Sequence, residues 1–224
     1  MRKTIFSNNE YYHVYNRGTD KRRIFLCEAD YRRFIDGMRF FNTLTPVGHL
    51  NRNVEASPRQ EDVLVKIVAY CLMSNHFHLL LQQVNKNGLS KYLHRLLTGY
   101  TMYFNKRYDR VGVLFQGVFK SKHIKDDSYL LHLTRYIHLN PLEKLSSHNP
   151  DRNKINLFIK NYKWSSYSAY VQNKNIESVI SGEEIILGQF KNRKYYQNFV
   201  LGITGKDPLS RLRLDGENED IFGK

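Results

Sequence analysis

The segment Ala69-Tyr-Cys-Leu-Met-Ser-Asn-His-Phe-His-Leu-Leu-Leu-Gln82 sets two histidines, His76 and His78, in an apolar run. Side chains two residues apart project from the same face of a β-strand, so both imidazoles are predicted on one side of a sheet and Phe77 on the other. Two neutral imidazoles on a rigid strand would form half of a metal site. Because nine histidines in 224 residues make a chance His-x-His triplet common, the prediction depends on the chain supplying the other half.

The charge balance indicates a polyanionic partner. The chain has 35 Lys and Arg against 21 Asp and Glu, which gives a net charge of +14 and a pI of about 9.7. Nucleic acid is the commonest partner of such a basic protein. The 16 tyrosines and 13 phenylalanines offer rings for stacking on unpaired bases, although most of them are expected to fill the core. An anionic membrane is less favoured, because the basic residues are dispersed and no apolar run is long enough to span a bilayer.

Cysteine use and the first residues of the chain predict a cytoplasmic protein. Cys27 and Cys71 lie far apart, and Cys71 falls in an apolar run. Both are interpreted as buried free thiols in a reducing compartment. Residues 1–9 lack the apolar core of a signal peptide, which agrees with that interpretation.

Hydrophobic periodicity predicts strands and helices in the order β-α-β-β-α-β-α. This order fits an α+β fold of the ferredoxin-like class, in which a split β-α-β unit gives an antiparallel sheet with helices on one face. The polar stretch from Thr43 to Asp62 is predicted to be a long exposed loop. The predicted strands cover residues 11–16, 63–72, 76–82 and 111–124, and the predicted helices cover residues 28–42, 88–108 and 126–139.

The chain is predicted to consist of one main domain, residues 1–145, and a C-terminal extension, residues 146–224, that packs on it. A hydrophobic content of 41% over 224 residues is sufficient for a substantial core. The extension is more polar than the main domain. Its end, from Pro208 onward, is expected to be loosely held.

A polar pair on the third predicted helix is the candidate for the second half of the site. Tyr136 and Asn140 are four residues apart, so they lie one above the other on one face of the helix. The Asn140 amide oxygen is suited to complete a metal site with His76 and His78, and the Tyr136 phenol is suited to act as a nucleophile. The alternative is a core tyrosine with an asparagine that caps the helix before Pro141.

Four motifs occur in order along the chain: His76-Phe-His78, Phe115-Gln-Gly-Val-Phe-Lys120, Tyr136-Ile-His-Leu-Asn-Pro141 and Trp164-Ser-Ser-Tyr167. Together they resemble those of the single-tyrosine HUH transposases, and specifically of the REP-associated tyrosine transposase branch. The similarity extends over residues 11–170. Val118 departs from the pattern, because similar proteins often carry a basic residue after Gln-Gly, and a DNA contact at this position is therefore unsupported.

The resemblance implies an HUH endonuclease-like enzyme that cuts and rejoins single-stranded DNA near a hairpin. Tyr136 would attack a DNA phosphodiester and leave a 5′-phosphotyrosine link and a free 3′-OH. His76, His78 and Asn140 would hold a divalent ion, Mg²⁺ or Mn²⁺, against the scissile phosphate. The partner would be single-stranded DNA with hairpin structure, and the protein would act as a monomer or a homodimer.

Polar residues near these motifs are candidates for DNA contact, with solvated surface positions as the alternative interpretation. His132 lies one turn before Tyr136 and is a weaker candidate for assisting proton transfer, because surface histidines on helices are usually inert. The predicted DNA-binding residues are Arg17, Arg22 and Arg23 in the loop after the first strand, and Gln116, Lys120 and Lys122 on the last strand.

Two other functions fit parts of the pattern. A non-catalytic protein derived from a transposase would bind DNA hairpins or single strands with an idle site. A zinc hydrolase built on His76 and His78 is disfavoured, because no acidic residue or cysteine near the pair supplies a third ligand.

Overall fold

A four-stranded antiparallel sheet forms the centre of the structure. Its strands are β1 (Tyr11–Arg17), β2 (Val65–Leu72), β3 (His76–Gln83) and β4 (Lys120–Ile124), in the spatial order β2-β3-β1-β4. With helices α1 (Glu28–Phe40) and α2 (Gly88–Arg107), the first six strands and α-helices follow along the chain as β1-α1-β2-β3-α2-β4. This order and this sheet are those of the split β-α-β unit, so the predicted α+β ferredoxin-like fold is confirmed.

The computed structural model describes residues 5–45, 62–145, 151–172 and 179–202. Most of the predicted loop at 43–62 and the end of the chain from Pro208 lie outside these ranges. Within them, no helix is long and apolar enough to cross a membrane. The helices are α1 (Glu28–Phe40), α2 (Gly88–Arg107), α3 (Asp127–Leu139), α4 (Arg152–Asn161), α5 (Tyr167–Gln172), α6 (Glu184–Leu187) and α7 (Arg193–Leu201).

Alternation along β3 assigns its side chains to the two faces of the sheet. Phe77 is fully buried toward α1, where its ring centroid lies 5.3 Å from that of Phe34. His78 projects from the other face toward α3, and its ring centroid is 5.4 Å from that of Tyr136. The predicted placement of helices on one face therefore holds for α1 and α2, and the structure adds α3 on the opposite face.

The predicted strand at 111–124 is too long, because only Lys120–Ile124 pairs as β4. Gly112 and Gly117 adopt positive φ angles of 86° and 68°, which interrupt an extended strand. Valine and phenylalanine in this stretch favoured the strand prediction. Residues 113–119 instead form a loop held against the end of β1, where the Gln116 N–H donates to the Arg17 carbonyl at 2.8 Å.

The C-terminal helices and their connections cover the free edge of β2. The Leu72 N–H donates to the Trp164 carbonyl at 2.8 Å, and the Ser166 N–H donates to the Tyr70 carbonyl at 3.0 Å. Protection of this kind prevents an edge strand from pairing with another chain.

The predicted division of the chain into a main domain ending at residue 145 and an extension beginning at residue 146 stays a prediction. Both cysteines are free thiols, and Cys71 is buried as predicted, whereas Cys27 is half-exposed.

Candidate active site

His76 and His78 project from the same face of β3, at the end where this strand meets the last residues of β1. Their ring centroids lie 5.1 Å apart, with an angle of 81° between the planes. Arg17 is the residue opposite His76 in the β1–β3 register. The spacing of two residues on a strand therefore brings the two imidazoles together, as the sequence predicts.

The His76 ring is held between two asparagine side chains. Its Nδ1 lies 2.7 Å from Oδ1 of Asn75, and its Nε2 lies 3.1 Å from Oδ1 of Asn140. An amide oxygen can only accept a hydrogen bond. A neutral ring carries one proton and can donate to only one of these two oxygens. The shorter contact, to Asn75, favours Nδ1 as the donor, which leaves the lone pair of Nε2 toward Asn140.

Asn140 lies directly after α3, and it keeps helical backbone angles (φ −51°, ψ −36°) despite the following Pro141. Its side chain is 4% exposed. Its Nδ2 is buried and has no hydrogen-bond partner among the described residues. Two arrangements relieve the contact with His76: the amide turns Nδ2 toward the ring, or a cation lies between the lone pairs of Oδ1 and Nε2.

Tyr136 is half-buried on α3, one turn before Asn140. Its ring contacts His78 edge to face, with centroids 5.4 Å apart. Asp126 caps the N-terminus of the helix, since its Oδ1 accepts from the Tyr129 N–H at 2.7 Å. Helix α3 and strand β3 thus bring together the four site residues that were predicted from the sequence.

His13 of β1 is a further member of the site that the sequence analysis missed. Its Nε2 lies 3.0 Å from Nδ1 of His78, and both side chains are 3% exposed. Its ring centroid is 6.4 Å from that of Tyr136. The available signal was the alternation in Tyr12-His13-Val14-Tyr15, which sets His13 and Tyr15 on one face of β1, but the pairing with β3 was not predictable from it.

The histidines of the site are neutral at pH 7. Burial, with a smaller contribution from Lys122, lowers the pKa of His13 to about 3. Burial also lowers the pKa of His78 well below its ordinary value. It lowers the pKa of His76 as well, and the nearby Asn140 oxygen, which favours the protonated ring, partly opposes this shift. Neutral imidazoles are the form that binds metals.

The donor set fits a divalent ion that keeps open positions. In the part of the chain that the structure describes, no group of three or more His, Cys, Asp or Glu side chains is placed to hold a metal. The closed sets of cysteine and histidine typical of structural zinc are therefore not found there. His76, His78 and the buried oxygen of Asn140 offer two imidazoles and one amide, which suit Mn²⁺ or Mg²⁺ with other oxygens completing the shell.

Arg17, Gln116, Lys120 and Lys122 lie on or beside the sheet face that carries the histidines. Nε of Arg17 donates to Oε1 of Gln116 at 2.6 Å. Lys120 and Lys122 are opposite Tyr15 and His13 in the β1–β4 register, and cross-strand partners share a face. Nζ of Lys122 lies 5.2 Å from the centroid of the Tyr129 ring on α3.

The basic loop after β1 packs beside the connection between β2 and β3. The N–H groups of Ile24 and Phe25 both donate to the Ser74 carbonyl, at 2.8 and 3.0 Å. Arg22 donates from Nε to the Thr19 carbonyl at 3.3 Å, while Arg23 is exposed. This packing places the loop next to Asn75 and His76.

His132 was the weaker candidate for assisting proton transfer at Tyr136. Its ring packs against Phe199 of α7, with centroids 5.6 Å apart.

Comparison with known proteins adds two findings. Residues 56–140 match the family described as "Transposase IS200 like". The fold is similar to the solved structure of the REP-associated tyrosine transposase bound to a REP hairpin, with a TM-score of 0.53 and 10% sequence identity over 83% of this chain and 92% of that one. No curated protein sequence matches the chain. The resemblance seen in the motifs is therefore confirmed: over residues 56–140 this chain is similar to the IS200-like transposases, and its fold is similar to that of the REP-associated tyrosine transposase.

Proposed function

We propose that this chain cuts and rejoins single-stranded DNA through a covalent link to Tyr136. The observation that carries the proposal is the meeting of α3 and β3, where Tyr136 contacts His78 and Asn140 contacts His76. The Tyr136 phenol lies one helical turn from Asn140, a candidate metal ligand, and beside neutral imidazoles. This arrangement is suited to phosphoryl transfer. The family match supports a DNA transposase function for the chain.

In the proposed step the Oη atom of Tyr136 attacks a DNA phosphorus atom. The bond from phosphorus to the tyrosine oxygen forms as the bond to the 3′ oxygen breaks. The phenol loses its proton, and the departing 3′ oxygen gains one and becomes a free 3′-OH. The 5′-phosphate remains on the protein, and attack by a 3′-OH reverses the step, so rejoining needs no nucleotide cofactor.

The metal in this proposal is Mg²⁺ or Mn²⁺, held by His76, His78 and Asn140. A bound divalent ion supplies a Lewis acid that polarises the phosphoryl oxygen and offsets the charge developing there. These three side chains are all neutral, and as ligands they would leave coordination positions for phosphate oxygens and water. A tyrosine phenol has an ordinary pKa of about 10 and is a weak nucleophile at neutral pH without such help.

The proposed partner is single-stranded DNA that forms a hairpin. A net charge of +14 favours a phosphate backbone. Arg17, Lys120 and Lys122 share the histidine-bearing end of the sheet, and Arg22 and Arg23 flank it from the adjacent loop. The related solved structure holds a REP hairpin, which supports a hairpin ligand for this chain as well.

The test is formation of a covalent protein–DNA adduct on hairpin-bearing single strands with Mn²⁺. In the wild type, a label at the 3′ end of the substrate should remain with the protein under denaturing conditions, while a 5′ label leaves on a fragment with a free 3′-OH. Tyr136→Phe should abolish the adduct and retain DNA binding. Tyr129→Phe, which removes a phenol from the same helix, is the matched control and should retain the adduct.

Absence of an adduct with the wild-type protein on all such substrates, with hairpin binding intact, would contradict the proposal. That outcome would instead favour a non-catalytic protein that binds DNA hairpins.

A further inference from the structure

We propose that His13 is a positioning residue that fixes the tautomer of His78, so that the Nε2 lone pair of His78 faces the site. The inference rests on the proposed function, because it assigns His78 as a ligand through Nε2. It concerns a residue that lies outside the 56–140 segment matched by the transposase family.

The contact between His13 and His78 leaves room for one proton. Nε2 of His13 and Nδ1 of His78 are 3.0 Å apart, and in a neutral pair one ring donates while the other accepts. If His13 donates, His78 carries its own proton on Nε2 and cannot bind a metal through that atom. If His78 donates, its Nε2 is free to bind a metal.

The neighbouring His76 points to the second arrangement. There the Asn75 oxygen lies closer to Nδ1, at 2.7 Å, than the Asn140 oxygen lies to Nε2, at 3.1 Å, which favours Nδ1 as the donor. When one nitrogen of an imidazole donates to a fixed acceptor, the ring presents its other nitrogen as a ligand. This is the usual support for metal-binding histidines. With His13 as the acceptor for His78, both histidines of the pair offer Nε2 in the same way.

The sheet holds His13 in place for this role. In the β1–β3 register His13 is opposite Leu80 and Tyr15 is opposite His78, so the two histidines are diagonal neighbours on one face. The Tyr15 ring stacks on His13 with centroids 4.9 Å apart. The position of the His13 nitrogen is thus set by strand pairing and packing.

The direct test is the tautomer of His78 in the metal-free wild-type protein, read from long-range ¹H–¹⁵N couplings of the imidazole by NMR. The expected result is a proton on Nδ1 and a bare Nε2. A His78 ring protonated on Nε2 would overturn the inference. The measurement needs neither DNA nor metal, so it can succeed where the adduct assay fails, and the two proposals are tested separately.

Variants of His13 give a second readout, the affinity for Mn²⁺ by calorimetry. His13→Phe keeps a ring and removes the acceptor, and should weaken binding by about 10- to 100-fold, the usual loss for a supporting residue. His13→Gln restores an acceptor oxygen and should recover part of the affinity and the Nδ1–H tautomer. His123→Phe changes a histidine on the other face of the sheet, where it stacks on Tyr12, and should leave Mn²⁺ binding unchanged. Unchanged affinity in a folded His13→Phe would contradict the inference.

Discussion

Asn140 has a polar group that the rest of the described structure leaves unsatisfied. Its Nδ2 is buried without a partner, and its oxygen lies 3.1 Å from Nε2 of His76. A buried unpaired donor destabilises a fold by about 1–3 kcal/mol. A buried unsatisfied group in a native structure calls for an explanation, and a bound ion is one such explanation.

Replacing Asn140 with alanine separates a ligand from a structural cap. If the amide serves a metal, Asn140→Ala should lower Mn²⁺ affinity by at least about tenfold, equivalent to about 1.4 kcal/mol. The free energy of unfolding without metal should stay the same or rise, since the unsatisfied donor is removed. Calorimetry and denaturant unfolding measure the two quantities. Loss of stability with unchanged Mn²⁺ affinity would favour the helix-cap interpretation.

Spacing within one element was sufficient to find four members of the site. His76 and His78 at i and i+2 on a strand, and Tyr136 and Asn140 at i and i+4 on a helix, follow from the two backbone periods. His13 could not be found in this way. Its contact with His78 joins residues 65 apart in the chain and depends on the register of β1 against β3.

Helix α3 is fixed to the sheet edge and to the C-terminal helices by a buried hydrogen-bond network around His138. Nδ1 of His138 lies 2.6 Å from the Tyr196 hydroxyl, and Nε2 lies 2.7 Å from Oγ of Ser166. Oγ of Ser166 also accepts from the Tyr70 N–H of β2 at 2.9 Å. Since His138 lies between Tyr136 and Asn140 in sequence, this network sets the rotation of the helix that carries both.

Ser166→Ala should destabilise the protein by about 1–3 kcal/mol, because the Tyr70 N–H and the His138 ring would lose a buried partner. Denaturant unfolding measures the change. Ser168→Ala, on helix α5 directly after Ser166, is the control and should have a smaller effect. Equal effects of the two variants would mean that the network contributes nothing beyond the burial of a hydroxyl.

Strands and helices were predictable where the apolar residues kept the same spacing over several helical turns or strand residues, as in α2 (Gly88–Arg107) and β3 (His76–Gln83). The predicted strand at 111–124 was wrong in its first part, because local composition does not reveal the left-handed backbone at Gly112 and Gly117. The role of residues 164–166 along the edge of β2 was also not predictable, since those hydrogen bonds join segments about a hundred residues apart.

The molecule contains several buried neutral histidines, which makes its stability depend on pH. Burial lowers the pKa of His13 and of His138 to about 3 in the folded state, against about 6.5 in the unfolded chain. Below pH 6.5 the unfolded state therefore binds more protons than the folded state, and the free energy of unfolding falls as the pH falls toward 3.

Each of these histidines should lower the stability by up to about 1.4 kcal/mol per pH unit below pH 6. In a folded His138→Gln variant the slope between pH 6 and pH 5 should be shallower than in the wild type by about that amount. Denaturant unfolding at a series of pH values measures it. Identical slopes would show that His138 is not buried in its neutral form.

The excess of positive charge should make DNA binding strongly dependent on salt. Lys120→Gln should weaken binding of single-stranded DNA and reduce the slope of log K against log salt concentration by about 0.7, the value for one phosphate contact. Lys91→Gln is the control, because this exposed lysine lies on α2, across the sheet from the histidines. If both variants change the slope equally, the DNA does not select the histidine-bearing face.

The proposed function depends most on the identity of the nucleophile among 16 tyrosines. Trypsin cleaves after Arg135 and Lys144, so Tyr136 falls in the peptide Tyr136–Lys144, which contains no other tyrosine. Wild-type protein trapped with Mn²⁺ and a hairpin-bearing single strand should yield this peptide carrying a nucleotide on the phenol oxygen, as identified by mass spectrometry after nuclease digestion. A nucleotide on any other tyrosine, or on none, would contradict the assignment of Tyr136.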